Sequence, residues 1–205
     1  MPVTPNQTQP EFPTLRIYLP ALLLIAVMCL LTLLGDNAEN ALRFDRDRIT
    51  EGQIWRLLTG HFVHLSWVHT LGNSAGLLMA NYVCAGRFNH LQTLWFVLFS
   101  AAITGGGLYF FAHDLFYYVG LSGILHGLLI VSMFRSQLYT PFVKGIFIIV
   151  IAAKVAWEQT PFYDDMAMAD LIGGRVETRA HLFGFISAAV WLFISFLISR
   201  RRHRD

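Results

Sequence analysis

The 205-residue sequence predicts an all-α polytopic membrane protein, a bundle of six spanning helices. Three observations carry that prediction. Hydrophobic residues make up 55% of the chain and charged residues only 14%, against about 25% charged in a soluble domain. Mean hydropathy is +0.52. Six stretches reach or approach the roughly 20 mostly apolar residues that a helix needs to cross a bilayer. A chain with so little polar surface is neither a cytosolic enzyme nor a disordered linker, and a net charge of +2 argues against a nucleic-acid module. Cys29 and Cys84 both sit in apolar runs and read as small core hydrophobes rather than a disulfide or zinc framework.

Taken in order, residues 1–17 are polar and Pro-rich and are expected to form a disordered tail. A membrane domain follows over 18–199, with spans at about 18–35, 66–86, 91–112, 117–134, 141–157 and 179–199. The first span carries no charge. A signal peptide is the less favoured reading of it, because only Arg16 supplies a basic flank and no small-x-small site follows. Residues 200–205 form a basic tail with Arg200, Arg201, Arg202 and Arg204. The positive-inside rule places that cluster in the cytoplasm. Six spans then put the N-terminus there too.

Polar side chains within spans are costly and mark function by default. His69 and Asn73 lie one turn apart in span two, Ser122 and His126 in span four, Lys154 in span five and His181 in span six. With the N-terminus inside, spans two, four and six run inward. His69, Asn73, Ser122 and His181 therefore share the outer depth of the membrane. Gly72/Gly76, Gly123/Gly127 and Gly184/Ala188 are small pairs four apart, the spacing that lets backbones approach closely in lipid. Spans four and six drawn together this way would bring His181 within reach of Ser122. A serine needs a neighbouring base, histidine suits that role, and His69, Asn73 and the Ser122 N–H could receive the oxyanion. No acid accompanies His181 within the spans, so the expectation is a dyad rather than a triad.

These residues resemble the rhomboid intramembrane serine proteases. The matching stretches are Trp55-Arg56, His61-Phe-Val-His64, His69-Thr-Leu-Gly-Asn73, Gly120-Leu-Ser-Gly123 and Ala180-His181-Leu-Phe-Gly184. They stand in the family's order on spans two, four and six of a six-span rhomboid-like bundle. The resemblance implies Ser122 as nucleophile, His181 as general base, and His69 and Asn73 as oxyanion donors. Gly120, Gly123 and Gly184 support the site, Trp55 and Arg56 belong to a membrane-embedded loop, and His64 stabilises that loop. His126 stands where many rhomboids carry a tyrosine under the base. With the run Lys154 to Gln159 (KVAWEQ), it makes the chain similar to the rhombosortase branch, which trims exported proteins with a Gly-Gly-containing C-terminal anchor. The implied partners are a transmembrane protein substrate and the lipid bilayer, with no nucleic acid, metal or cofactor, and a site opening to the periplasm.

Other readings stay in view. His126 either orients His181 through a hydrogen bond or packs within the bundle. Lys154 and Glu158, one turn apart, read first as a snorkelling lysine with an interfacial acid, and second as a border of the substrate gate. Gly105, Gly106 and Gly107 permit close packing or a kink. His61, His64 and His69 lack the spacing of a metalloprotease, and Asp164, Asp165 and Asp170 lack that of a calcium loop. The alternatives to the sortase-like protease are a general rhomboid protease of other single-span substrates and a non-catalytic rhomboid-like binder of transmembrane helices. A transporter would need matching broken halves, and no internal symmetry is evident.

Overall fold

The computed structural model describes residues 18–84 and 90–202. The expected tail 1–17, Arg87, and the tail residues His203, Arg204 and Asp205 lie outside the described residues. Helix α1 (Leu19–Leu33) opens with Pro20, whose fixed φ suits a first turn. Gly35, at φ +55, then turns the chain into α2 (Asp36–Leu42), β1 (Phe44–Asp45), α3 (Arg46–Thr50) and α4 (Arg56–Thr59). The long helices α5 (Trp67–Cys84) and α6 (His90–Phe111) follow. Then come β2 (Tyr117–Tyr118), α7 (Ser122–Arg135), α8 (Pro141–Glu158), α9 (Ala169–Ile172) and α10 (Thr178–Arg202). Thr140 caps α8 by accepting the Val143 N–H, with Pro141 behind it.

Two arginines hold the connection between α1 and α5. Arg46 donates to the carbonyls of Leu108, Tyr109, Ala112 and Leu115 at 2.7–2.8 Å. One guanidinium thus gathers the carbonyls at and just beyond the C-terminal end of α6, of which Leu108 and Ala112 also accept the Ala112 and Leu115 N–H groups. Buried Arg56 donates to the Arg43 and Asn40 carbonyls and to Gln53. Beyond the loop, β1 pairs with β2, Phe44 opposite Tyr118, and the Gly120 N–H donates to the Gly60 carbonyl at 3.1 Å. The loop therefore fixes the strand that leads into α7.

Helix α7 sits at the centre, with most of its residues buried, and packs most extensively on α10 and α5. The outer helices turn Leu23, Leu33, Trp95, Phe142, Ile149 and Phe193 outward, an apolar face too large for water and suited to lipid. By length and composition, two helices among the described residues can cross a membrane, Leu91–Phe111 and Thr178–Arg201. A third is reached only if α1 and α2, bent by 113°, count as one span. The expected six spans are thus not reached on these criteria. The physical reason lies in the other long helices. Helix α7 has only 14 residues, because the expected fourth span becomes helical only at Ser122. Helix α5 carries His69, Asn73, Ser74 and Asn81, and α8 carries Lys144, Lys154 and Glu158.

Glycine packing agrees with the expected approach of α7 and α10. A methyl on Gly123 would meet the Ala180 carbonyl oxygen at 2.7 Å, and one on Gly184 would overlap the Gly123 backbone. Gly76 faces Leu125, whereas Gly72 meets nothing and does not pack a helix. In α6, Gly105 lies against the Leu57 backbone and Gly107 against the Phe183 ring, with Gly106 open; the helix runs through all three unbroken. Gly184→Val is expected to lower stability in detergent by about 1–3 kcal/mol, the usual penalty of overpacking. Gly106→Ala is expected to be neutral or to stabilise by up to about 1 kcal/mol. Thermal unfolding of the two purified variants checks the contrast.

Candidate active site

Ser122 opens α7 and His181 lies in the first turn of α10. The glycine contact just below them sets their separation: the His181 Nε2 is 3.0 Å from the Ser122 Oγ. Because α7 begins at Ser122, the N–H groups of its first turn have no helical partner and present positive dipole ends near the hydroxyl. Gly120 makes this sharp entry possible. It holds φ +111, and a Cβ there would strike the His69 ring at 2.7 Å. Its carbonyl accepts from the Tyr118 hydroxyl at 2.6 Å.

A cavity of about 340 Å³ holds Ser122, His181, His69 and Asn73 together with His126, Lys154 and Glu158. Asn73 is buried, and its Nδ2 has no hydrogen-bond partner among the described residues. A buried donor of this kind costs about 1–3 kcal/mol while unpaired, so one aimed into a reactive cavity marks a place for a ligand atom. His69 is held from behind by His64, with ring centroids 4.8 Å apart at 83°. Burial pushes His64 down to about 3, so it meets His69 as a neutral ring.

The expectation that no acid accompanies His181 does not hold. Glu158, the last residue of α8, places Oε2 2.9 Å from the His181 Nδ1. Its other oxygen is paired with Lys154, and its side chain is 1% exposed. The first reading of Lys154 and Glu158, an interfacial pair, therefore gives way to a pair within the site. A signal for this was present. Helix α8 runs opposite to α5, α7 and α10, so its C-terminal end comes beside their N-terminal ends. The 23-residue separation and the nearer explanation by Lys154 concealed it.

His126 does not hydrogen-bond to His181. Its Nδ1 lies 2.8 Å from the Ser122 carbonyl and its Nε2 3.0 Å from the Lys154 Nζ. It meets His181 by its face, with rings stacked 4.0 Å apart at 23°. His126, Glu158 and His181 also bring ligand atoms within 4.8 Å of one another. Each of those atoms already has a hydrogen-bond partner, and the Lys154 ammonium on the carboxylate disfavours a cation. Trp55 is half exposed and Arg56 buried, and neither lines the cavity. Gly123 and Gly184 act through packing.

The segment between α8 and α10 is largely exposed and borders the cavity on one side. Tyr163, Met168, Ile172 and Arg175 line it, and the segment is tied down by the Ser66 hydroxyl donating to the Leu171 carbonyl at 3.2 Å. An adjoining cleft of about 210 Å³ shares His69, Val119, Ile172 and Arg175. The Arg179 guanidinium, which also binds Glu177 at 2.7 Å, holds the Asp114 carboxyl below the ordinary range. No periodicity marks such a segment, so its role could not be read from sequence.

Residues 51–198 match the rhomboid domain family. The rhomboid protease GlpG of Haemophilus influenzae (strain ATCC 51907 / DSM 11121 / KW20 / Rd) is 22% identical over 181 residues, covering 84% of this chain and 88% of that protein. The family match takes in every residue of the cavity described above. The chain is an integral membrane protein that belongs to the rhomboid family of intramembrane serine proteases.

Proposed function

We propose that the chain hydrolyses a peptide bond within or beside the transmembrane segment of an anchored protein, with Ser122 as nucleophile and His181 as general base. The observation that carries this reading is the 3.0 Å approach of Ser122 Oγ to His181 Nε2 in a cavity that also holds the unpartnered Asn73 amide. The Ser122 Oγ attacks the scissile carbonyl carbon as Nε2 takes its proton. The carbonyl oxygen, now anionic, accepts from Asn73, His69 and the Ser122 N–H. His181 returns the proton to the leaving amine, and water then releases the acyl group by the same steps in reverse.

All six long helices span the membrane in this reading, with both termini cytoplasmic and the site opening toward the periplasm across the bacterial inner membrane. The basic C-terminal end of α10 supports that orientation, and domain boundaries at 18–199 follow. Helix α7 is largely buried in protein, and His69 and Asn73 of α5 and Lys154 and Glu158 of α8 line the cavity. The substrate class is a membrane anchor that carries Gly-Gly near its cleavage point, as in the rhombosortase branch. The run Gly120 to Gly127 (GLSGILHG) and the position of His126 and Lys154 beside the base support this branch. A helix hides its scissile carbonyl in its own hydrogen bonds, so it must unwind before attack. Glycines lower that barrier by about 1 kcal/mol each relative to alanine.

A fluorophosphonate probe applied to membranes is expected to label the wild type, to label Ser122→Ala not at all, and to label His181→Ala about a hundredfold more slowly or less. Equal labelling of Ser122→Ala would remove the assignment. Asn73→Ala is expected to lower kcat by about 10²–10³ without lowering the unfolding temperature, because the lost amide was unpaired. Steady-state kinetics and thermal unfolding of the same preparation check both halves. Replacing Gly-Gly by Leu-Leu in a single-span test substrate is expected to slow cleavage at least several-fold, read by product formation in detergent or vesicles.

A further inference from the structure

The hydrogen bonds around His181 close on themselves, and their directions follow from the donors and acceptors alone. The Ser122 carbonyl can only accept, so His126 carries its proton on Nδ1. Its Nε2 then accepts from the Lys154 ammonium, which can only donate. Lys154 also donates to Oε1 of Glu158. The Oε2 of that carboxylate accepts from Nδ1–H of His181, and the Nε2 lone pair of His181 is left facing the Ser122 hydroxyl. The circuit begins and ends on Ser122.

We propose that Glu158 is a positioning residue that fixes the reactive tautomer of His181, and that Lys154 locks Glu158 in place by balancing its charge. The proposal rests on the reading of Ser122 and His181 given above. A carboxylate 1% exposed at membrane depth is costly without a partner, and Lys154 supplies one while its side chain stays 45% exposed. Proton transfer from Ser122 then makes an imidazolium beside a carboxylate already oriented to receive Nδ1–H. His126 stacks on that ring as a neutral imidazole because the Lys154 ammonium faces its Nε2. A structural helix pair at i,i+4 needs neither the bond to His181 nor the bond to His126.

Besides Ser122 and Asn73, the groups facing His181 are His126 on α7, Lys154 and Glu158 on α8, His69 on α5, and Tyr163 and Arg175 on the segment after α8. Among them, Glu158 and Lys154 are directly linked to His181 or to its partner with opposite charge. Removing one or the other should therefore displace the pH dependence in opposite directions. The rate of fluorophosphonate labelling of the full chain, measured from acid to alkaline pH, tests this in wild type, Glu158→Gln, Lys154→Met, Lys154→Arg and Ser122→Ala. Glu158→Gln is expected to label at least about tenfold more slowly, since an amide also admits the wrong tautomer, with the acid limb moved to lower pH. Lys154→Met leaves an uncompensated carboxylate, so the site takes up a proton earlier and the acid limb moves to higher pH. Lys154→Arg keeps the charge and is expected to restore the wild-type limb. Glu158→Gln labelling like wild type, or both variants losing amplitude with no displacement, would overturn the inference. If Glu158→Gln does not fold, the Lys154→Met and Lys154→Arg pair decides alone. Persistent labelling of Ser122→Ala would instead strike the underlying assignment.

Discussion

The backbone contact between α7 and α10 is the constraint on which the rest depends. Gly123 and Gly184 leave no room for a side chain between the two helices. In lipid, where apolar surface gives little drive to associate, that closeness of approach supplies the packing energy. Ser122 precedes one glycine and His181 lies one turn before the other, so the same contact sets the distance between hydroxyl and imidazole. A methyl group at either glycine would separate the pair as surely as a change in the pair itself.

The second constraint is the treatment of polar groups where water is scarce. On one side of Ser122 the ring through His126, Lys154, Glu158 and His181 leaves no choice of proton position, whereas on the other the Asn73 Nδ2, the His69 Nδ1 and both His64 nitrogens have no partner among the described residues. Against that background the unpartnered Asn73 amide is informative. A fully satisfied network is rigid and defines one arrangement, while one open donor stores a penalty that only an incoming oxygen relieves. Order around His181 and an unmet donor in the same cavity as Ser122 are what a preorganised site needs.

The connecting segments do more than connect. Arg46 binds the end of α6, Arg56 secures the loop, and β1 holds β2, which ends at Tyr118 just before Gly120. That strand delivers Ser122 at a helix start rather than within a helix, so free N–H groups lie beside the hydroxyl. The segment after α8 also lines the cavity. This segment and the loop differ in sequence character from the helices, yet they set access and entry angle.

The sequence by itself determined the apolar class of the chain, the positions of its long helices, and the small-residue spacing that pairs α7 with α10. Those features are local or periodic, and periodicity survives in one dimension. It also singled out Ser122, His181, His69 and Asn73 as polar residues of shared depth. Tertiary structure alone decided that Glu158 meets His181, that His126 stacks rather than hydrogen-bonds, that Gly72 packs against nothing while Gly76 meets Leu125, and that residues 160–177 border the site. Each of these depends on helix rotation and on the path of an irregular segment, which distant contacts fix and no repeat records. The apolar length expected of six spans also fell short, because α7 is short and largely buried and because α5 and α8 carry polar side chains.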